Sequence, residues 1–186
     1  MKKVIFIILF FIAISAAGQT FEKKQNDSLK DKTITTFREI YWNNLPSPKG
    51  WINDYERIFS DDEEKKLDNI ISNFERETSI EIAIVTIDTV KTSSDKFEAL
   101  SLHIAKTWGI GKKGKDNGIL IGLSKGYRKI RIELGNGIAK ALTEQETKEI
   151  IDHDFIPEFK KGNYYQGIVN GITKLMEVLR TRVKKE

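Results

Sequence analysis

Trp108-Gly109-Ile110-Gly111-Lys112-Lys113-Gly114-Lys115-Asp116-Asn117-Gly118 is the stretch whose neighbours decide the fold. Phe97, Leu100, Ile104 and Trp108 fall on one helical stripe before it, and the apolar run Ile119 to Leu123 follows it. Gly109, Gly111 and Gly114 spell G-x-G-x-x-G, and Gly109 to Lys115 spell G-x-x-x-x-G-K. Both nucleotide motifs require a strand before the loop and a helix after it, so that helix N-terminal amides meet the phosphates. Here the helix comes first. Asp116 also stands where a phosphate loop needs a Ser or Thr hydroxyl for magnesium. The loop is therefore a helix-to-strand connection and not a nucleotide cradle.

The same alternation extends outward. Upstream, Ser60 with Glu63 spells a capping box, and Leu67, Ile70, Ile71 and Phe74 repeat at helical spacing to about Glu77. Ile80 to Ile87 is rich in β-branched residues and apolar on both faces, as a buried central strand is. Ser93 or Ser94 caps the helix that leads into the glycine loop. Downstream, Ile119 to Leu123 and Lys129 to Leu134 form a hairpin, because the turn between them is too short for a parallel crossover. Thr143 with Glu146 opens another helix, which runs to about Asp154 and which Pro157 is expected to end. Tyr165, Ile168, Ile172, Leu175, Met176 and Leu179 line the last helix. The order α-β-α-β-β-α-α predicts an α/β fold. It is a three-layer α/β/α sandwich with a mixed sheet of at least three strands, the first two parallel, and helices on both faces.

The N-terminus reads as an export signal over residues 1–18. Lys2 and Lys3 precede an apolar run from Val4 to Ala17, too short for a comfortable membrane span, and small residues follow at Ser15 to Gly18. Residues 19–49 are polar and read as an arm with a helical turn around Phe37, Ile40 and Tyr41. Pro46, Pro48 and Gly50 then mark the start of a domain covering residues 50–182, and residues 183–186 form a basic tail. No cysteine occurs, so disulfides, thiolate metal sites and a lipid anchor on cysteine are excluded. Without Lys2 and Lys3 the chain carries 29 basic against 27 acidic residues. That balance argues against a nucleic-acid binder, which needs a concentrated basic face. With no second apolar segment near the C-terminus, the mature chain is expected to be soluble, periplasmic or secreted, and free of a transmembrane anchor.

The residue patterns leave few catalytic options. His103 and His153 are fifty residues apart with no zinc-binding spacing, and no G-x-S-x-G elbow is present. Asp152-His153-Asp154 resembles a phosphatase D-x-D pair, but it belongs to a helix end and not to the strand end that chemistry needs. Oxygen ligands for a hard cation are the better candidates: Asp116 and Asn117 on the glycine loop, and Asn53 with Asp54 before the first helix. Glu133 is another candidate ligand, although its alternation with Lys129 and Arg131 favours simple surface pairing.

Six segments in order resemble the TPM-domain family, named for a thylakoid lumen phosphatase, a photosystem II repair protein and a worm receptor-associated membrane protein. They are Ile52-Asn53-Asp54-Tyr55, Glu81 to Thr86, Trp108 to Gly111, Gly114 to Leu120 and Arg128 to Gly135. The last joins Pro157-Glu158-Phe159 to Gly162-Asn163-Tyr164 and Gly167-Ile168. The resemblance implies an exported α/β/α sandwich, divalent-cation binding as in some members, and acid phosphatase activity as in plant relatives. Carried over by position, it points to Asp54, Asp116 and Asn117 as metal ligands. Many bacterial relatives end in a membrane helix and a glycine-rich tail, which this sequence does not show. Two functions follow. The first is an exported module that binds calcium, or magnesium, and docks a partner protein in the cell envelope. The alternative is a metal-assisted acid phosphatase.

Overall fold

The computed structural model describes Gln25 and residues 27–183. The expected export signal and residues 184–186 of the basic tail lie outside the described residues. The chain divides into two compact units, one ending at Asn44 and the other starting at Leu45. In the first, residues 27–43 form a helix, α1, longer than the single turn expected. Its apolar residues are sparse, which hid it. Leu29, Phe37 and Ile40 nonetheless recur close to helical spacing, and the Thr33 and Thr35 hydroxyls donate to the carbonyls of Leu29 and Asp31 one turn back.

The second unit contains β1 (Ile52–Asp54), α2 (Asp61–Thr78), β2 (Glu81–Thr86), α3 (Phe97–Trp108), β3 (Gly118–Ser124) and β4 (Lys129–Leu134). These are followed by α4 (Asn136–Ala139), α5 (Glu144–Ile150), α6 (Ile156–Lys160) and α7 (Tyr164–Arg182). The sheet order is β1-β2-β3-β4, with β1, β2 and β3 parallel and β4 antiparallel to β3. The mixed sheet, the parallel β2–β3 pair and the β3–β4 hairpin agree with the sequence reading. β1 is an addition. Only three residues long, two of them polar, it carries no periodicity of its own and exists through its pairing with Ile84 to Thr86.

Alternation along the strands separates the two faces. Ile82, Ile84, Ile119, Ile121, Leu123 and Ile132 join one core cluster with Leu67, Ile71 and Phe74 of α2 and Ile168, Ile172, Leu175 and Leu179 of α7. Each such fully buried aliphatic side chain contributes about 1.5–3 kcal/mol of burial free energy. On the opposite face α3 packs on β3 and β4, burying Phe97, Leu100 and Ile104. It lies so close that a Cβ at Gly122 of β3 would meet the Ser101 hydroxyl at 2.6 Å. Helices thus cover both faces, and the three layers are those expected.

Pro157 does not end a helix. Between α5 and α6 the path continues through a π-helical segment, Ile151–Phe155, in which the Ile156 amide donates to the Ile151 carbonyl, and Pro157 sits in the first turn of α6. A first-turn proline forfeits no helical hydrogen bond, so it is tolerated there. The widened turn also drives Phe155, fully buried, against α7 at Gly171, where a Cβ would collide with the ring.

Candidate functional site

The glycine loop is built before any ligand is considered. Gly109, Gly111 and Gly114 adopt φ of 63°, 111° and 79°, and Asp116 follows them into the left-handed region at 46°. Asp and Asn tolerate that conformation better than most residues because short polar side chains bond locally. Glu81, at the start of β2, accepts from the Gly111 amide at 2.7 Å. The Lys112 ammonium bridges Glu75 at 2.7 Å and Glu81 at 2.9 Å, which pushes its pKa up to about 12. Asn117 is buried, accepting from the Lys112 amide at 2.8 Å and donating to the Ser79 carbonyl at 2.7 Å. Across the loop, the Gly137 amide donates to the Asp116 carbonyl at 3.0 Å. The approach is close enough that a Cβ at Gly118, Gly135 or Gly137 would collide with a facing backbone carbonyl. These glycines let three chain segments touch.

This loop walls one side of a cleft of about 580 Å³, with α3 contributing Leu102 and Lys106 and the end of β4 contributing Glu133 and, just beyond, Asn136. Asp116 lines the same cleft. It is exposed, and among the described residues its carboxylate has no hydrogen-bond or ion-pair partner. Glu133 is the opposite case, 9% exposed, with a buried Oε1 that makes no hydrogen bond. Burial raises its pKa, and the attraction of Arg131, whose Nε lies 3.4 Å from that oxygen, only partly offsets it. The buried Ser101 hydroxyl also opposes the rise, although it makes no hydrogen bond. Carboxylates, an amide side chain and loop carbonyls are the donor types a hard divalent cation uses. Yet among the described residues no three His, Cys, Asp or Glu side chains converge to hold a metal, so loop carbonyls and water would have to complete any shell here.

Asp54 lies elsewhere. It ends β1, where its Oδ1 accepts from the Thr86 hydroxyl at 2.6 Å and its Oδ2 from the Phe59 amide at 2.8 Å. Thr86 Oγ1 in turn accepts from the Glu56 amide at 2.8 Å. Glu56 accepts from the Lys125 and Gly126 amides at 2.8 and 3.3 Å, tying the β3–β4 turn to the same corner. Burial raises the Glu56 pKa, those two amides lower it, and the nearby carboxylates of Asp88 and Asp54 raise it again. Asp54 pairs in register with Thr86, whereas the glycine loop meets the other end of β2, where the Glu81 amide donates to the Asn117 carbonyl. Five residues of extended chain separate those levels, about 16 Å. A calcium ion reaches its ligands at about 2.3–2.6 Å. The sequence reading placed Asp54 and the Asp116–Asn117 loop around one ion, and the fold keeps them at opposite ends of the sheet. Asn53, also considered as a ligand, is buried and closes its own turn, accepting from the Lys49 amide and donating to the Gly50 carbonyl. Glu133, weighed as a ligand and read more simply as pairing with its strand neighbours, does pair with Arg131, but in a buried setting and not at the surface.

A family model described as the TPM domain matches residues 52–178, which spans the sheet, the glycine loop and most of α7. The chain belongs to the TPM-domain family. Its fold is similar to the solution structure of the N-terminal domain of a protein from P. gingivalis, with a TM-score of 0.63 at 26% identity over 72% of this chain and 83% of that one. It is also similar to the BA42 protein of the psychrophilic bacterium Bizionia argentinensis, with a TM-score of 0.61 at 23% identity over 71% and 88% of the two chains. A third likeness is to an N-terminal domain from Corynebacterium glutamicum, with a TM-score of 0.53 at 14% identity over 77% and 88%. No curated protein matches the chain. Among the described residues of this TPM domain, no helix is long and apolar enough to cross a membrane.

Proposed function

We propose that this TPM domain is an exported calcium-binding module that docks a protein partner in the cell envelope, and that the cation occupies the cleft between the glycine loop and the end of β4. The observation that carries this reading is Glu133, a buried carboxylate with an oxygen lacking a hydrogen bond in the cleft that Asp116 also lines. A buried carboxylate is costly unless charge or hydrogen bonds compensate it, and a divalent cation supplies that compensation. Asp116 provides a second, solvent-accessible carboxylate. Asn117 acts as the loop's internal brace, and Asp54 shapes the opposite corner. The leading basic and apolar residues support export.

Isothermal titration of calcium into the wild type and into Asp116→Asn and Glu133→Gln tests the assignment. Both substitutions are expected to weaken binding, because each removes a charged ligand while keeping its shape. Unchanged affinity in both would move the site elsewhere.

Metal-assisted acid phosphatase is the second reading, favoured by one specific observation. The raised pKa of Glu133 suits a proton donor, in a cleft where Lys106 and Lys113 can attract a phosphate. Turnover also needs a positioned nucleophile or activated water, and the cleft offers no side-chain nucleophile with a partner base. Slight hydrolysis of p-nitrophenyl phosphate that survives Asp116→Asn supports the binding module. Turnover above about 1 s⁻¹ that requires a divalent cation and vanishes in Asp116→Asn would favour the phosphatase.

A further inference from the structure

The cleft holds more than a cation needs. Its volume of about 580 Å³ is that of a small-ligand pocket, and one ion with its oxygens fills only a fraction of it. α3 lends it Leu102, Ala105 and Lys106, which share one side of the helix, and Ile110 and Leu134 add apolar surface. Leu102 is 41% exposed, an aliphatic side chain left open beside charged groups. The lysines of the cleft differ in what they meet. Lys112 is held by Glu75 and Glu81, whereas Lys106 and Lys113 are exposed and, among the described residues, make no ion pair.

Charge then says what else belongs there. Asp116 and Glu133 are already offset by Lys106 and Lys113, and the Arg131 guanidinium stands beside Glu133. A divalent cation therefore leaves the cleft with surplus positive charge. It also leaves the ion short of ligands, because calcium takes about six to eight oxygens and two carboxylates supply at most about four. One anionic oxygen ligand from outside corrects both deficits. We propose that the partner docks through an Asp or Glu side chain flanked by aliphatic residues. Its carboxylate closes the calcium shell and meets Lys106 and Lys113, while an adjacent aliphatic side chain lies on Leu102. The inference rests on the calcium reading of the cleft and names what the docked partner carries. A free phosphate would match the charge but leave the apolar wall uncovered. Ion and partner should therefore bind cooperatively, each tightening the other by the same factor.

The probe is the blocked peptide Ala-Leu-Asp-Leu-Ala, with Ala-Leu-Asn-Leu-Ala as its neutral control. Each is titrated into the purified chain to millimolar concentration, with calcium or with chelator, and followed by NMR. Calcium isotherms are recorded with and without each peptide. The Asp peptide is expected to shift Leu102, Lys106 and Lys113 only when calcium is present, and to tighten calcium binding by about tenfold. The Asn peptide should do neither. Joint Lys106→Gln and Lys113→Gln substitution is expected to abolish the coupling without weakening calcium alone, since it removes repulsion. Leu102→Ser should weaken the peptide severalfold at unchanged calcium affinity. All three side chains are exposed, so the fold should survive, and if a variant misfolds the paired peptides on the wild type decide. Calcium that binds equally with either peptide would overturn this inference and leave the calcium module standing. Calcium that binds under no condition would remove both. Inorganic phosphate that tightens calcium as much as the Asp peptide, indifferent to Leu102→Ser, would also overturn it, in favour of a phosphate site.

Discussion

The two ends of the parallel strands make opposite use of their carboxylates. At the carboxyl end, Asp54 and Glu56 are consumed by the fold: each accepts two hydrogen bonds from the protein, and together they tie β1, β2 and the β3–β4 turn into one corner. At the amino end of β2 and β3, Glu75, Glu81 and Asn117 brace the glycine loop, while among the described residues the Asp116 carboxylate has no partner and Glu133 keeps a buried oxygen that makes no hydrogen bond and that the Arg131 guanidinium approaches at 3.4 Å. Spent carboxylates stabilise, and unspent ones are available to a ligand. The contrast matters because carboxyl ends of parallel strands are the usual ligand crevices of open α/β sheets, and here the unspent groups gather at the other end.

Asp54→Ala breaks the comparison most strongly. It strands the Phe59 amide and the Thr86 hydroxyl, and is expected to destabilise the domain by about 3 kcal/mol, measured as a lower urea midpoint with an unchanged slope. Calcium affinity of the protein that remains folded should not change. A tenfold loss of calcium affinity with little loss of stability would reverse the roles given to the two ends.

Asp116→Asn is the complementary cut. Asparagine tolerates the positive φ that alanine would strain, so stability should stay within about 0.5 kcal/mol. Calcium affinity is expected to fall about tenfold, or 1.4 kcal/mol. A large drop in stability would mean that the Asp116 carboxylate, like that of Asp54, is part of the scaffold.

The smallest effect concerns pH. Burial gives Glu133 a folded-state pKa above its unfolded value, so its protonation favours the fold. That contribution is complete below the ordinary carboxylate range and is lost as pH rises through the raised value. Glu146 behaves in the opposite sense: Arg182 and the Thr143 cap lower its pKa to about 2, so its contribution is present above the ordinary range and lost as pH falls toward that value. In calcium-free buffer Glu133→Gln should therefore raise stability at neutral pH and flatten the profile only on the side where Glu133 titrates. Thermal melts across mildly acidic to neutral pH check this, and a destabilised Glu133→Gln at neutral pH would show the carboxylate to be satisfied after all.

Most of the architecture was legible because it follows from local pattern. The capping boxes at Ser60 and Thr143 formed as read, and Leu67, Ile71 and Phe74 point inward together. β1 was not legible, since three residues cannot show a period and only the register with β2 makes them a strand. Pro157 misled because its effect depends on the hydrogen-bond ladder, which the π segment shifts by one residue. At the site, the positions of Asp54 and the Asp116–Asn117 loop in the sequence were clear, but which strand end each occupies is set by sheet order, and spacing does not encode that. For Glu133 the pairing with Arg131 was legible and the burial was not. Its alternation with Arg131 reads as a solvent-facing strand until α3 is laid over that face.

Residue-resolved NMR during a calcium titration tests the central division most directly. The account predicts that shifts concentrate at Gly109 to Gly118, Glu133 and Asn136, while Asp54, Glu56, Phe59 and Thr86 stay in place. Shifts centred on Asp54, Glu56 and Thr86, with the glycine loop unmoved, would contradict it.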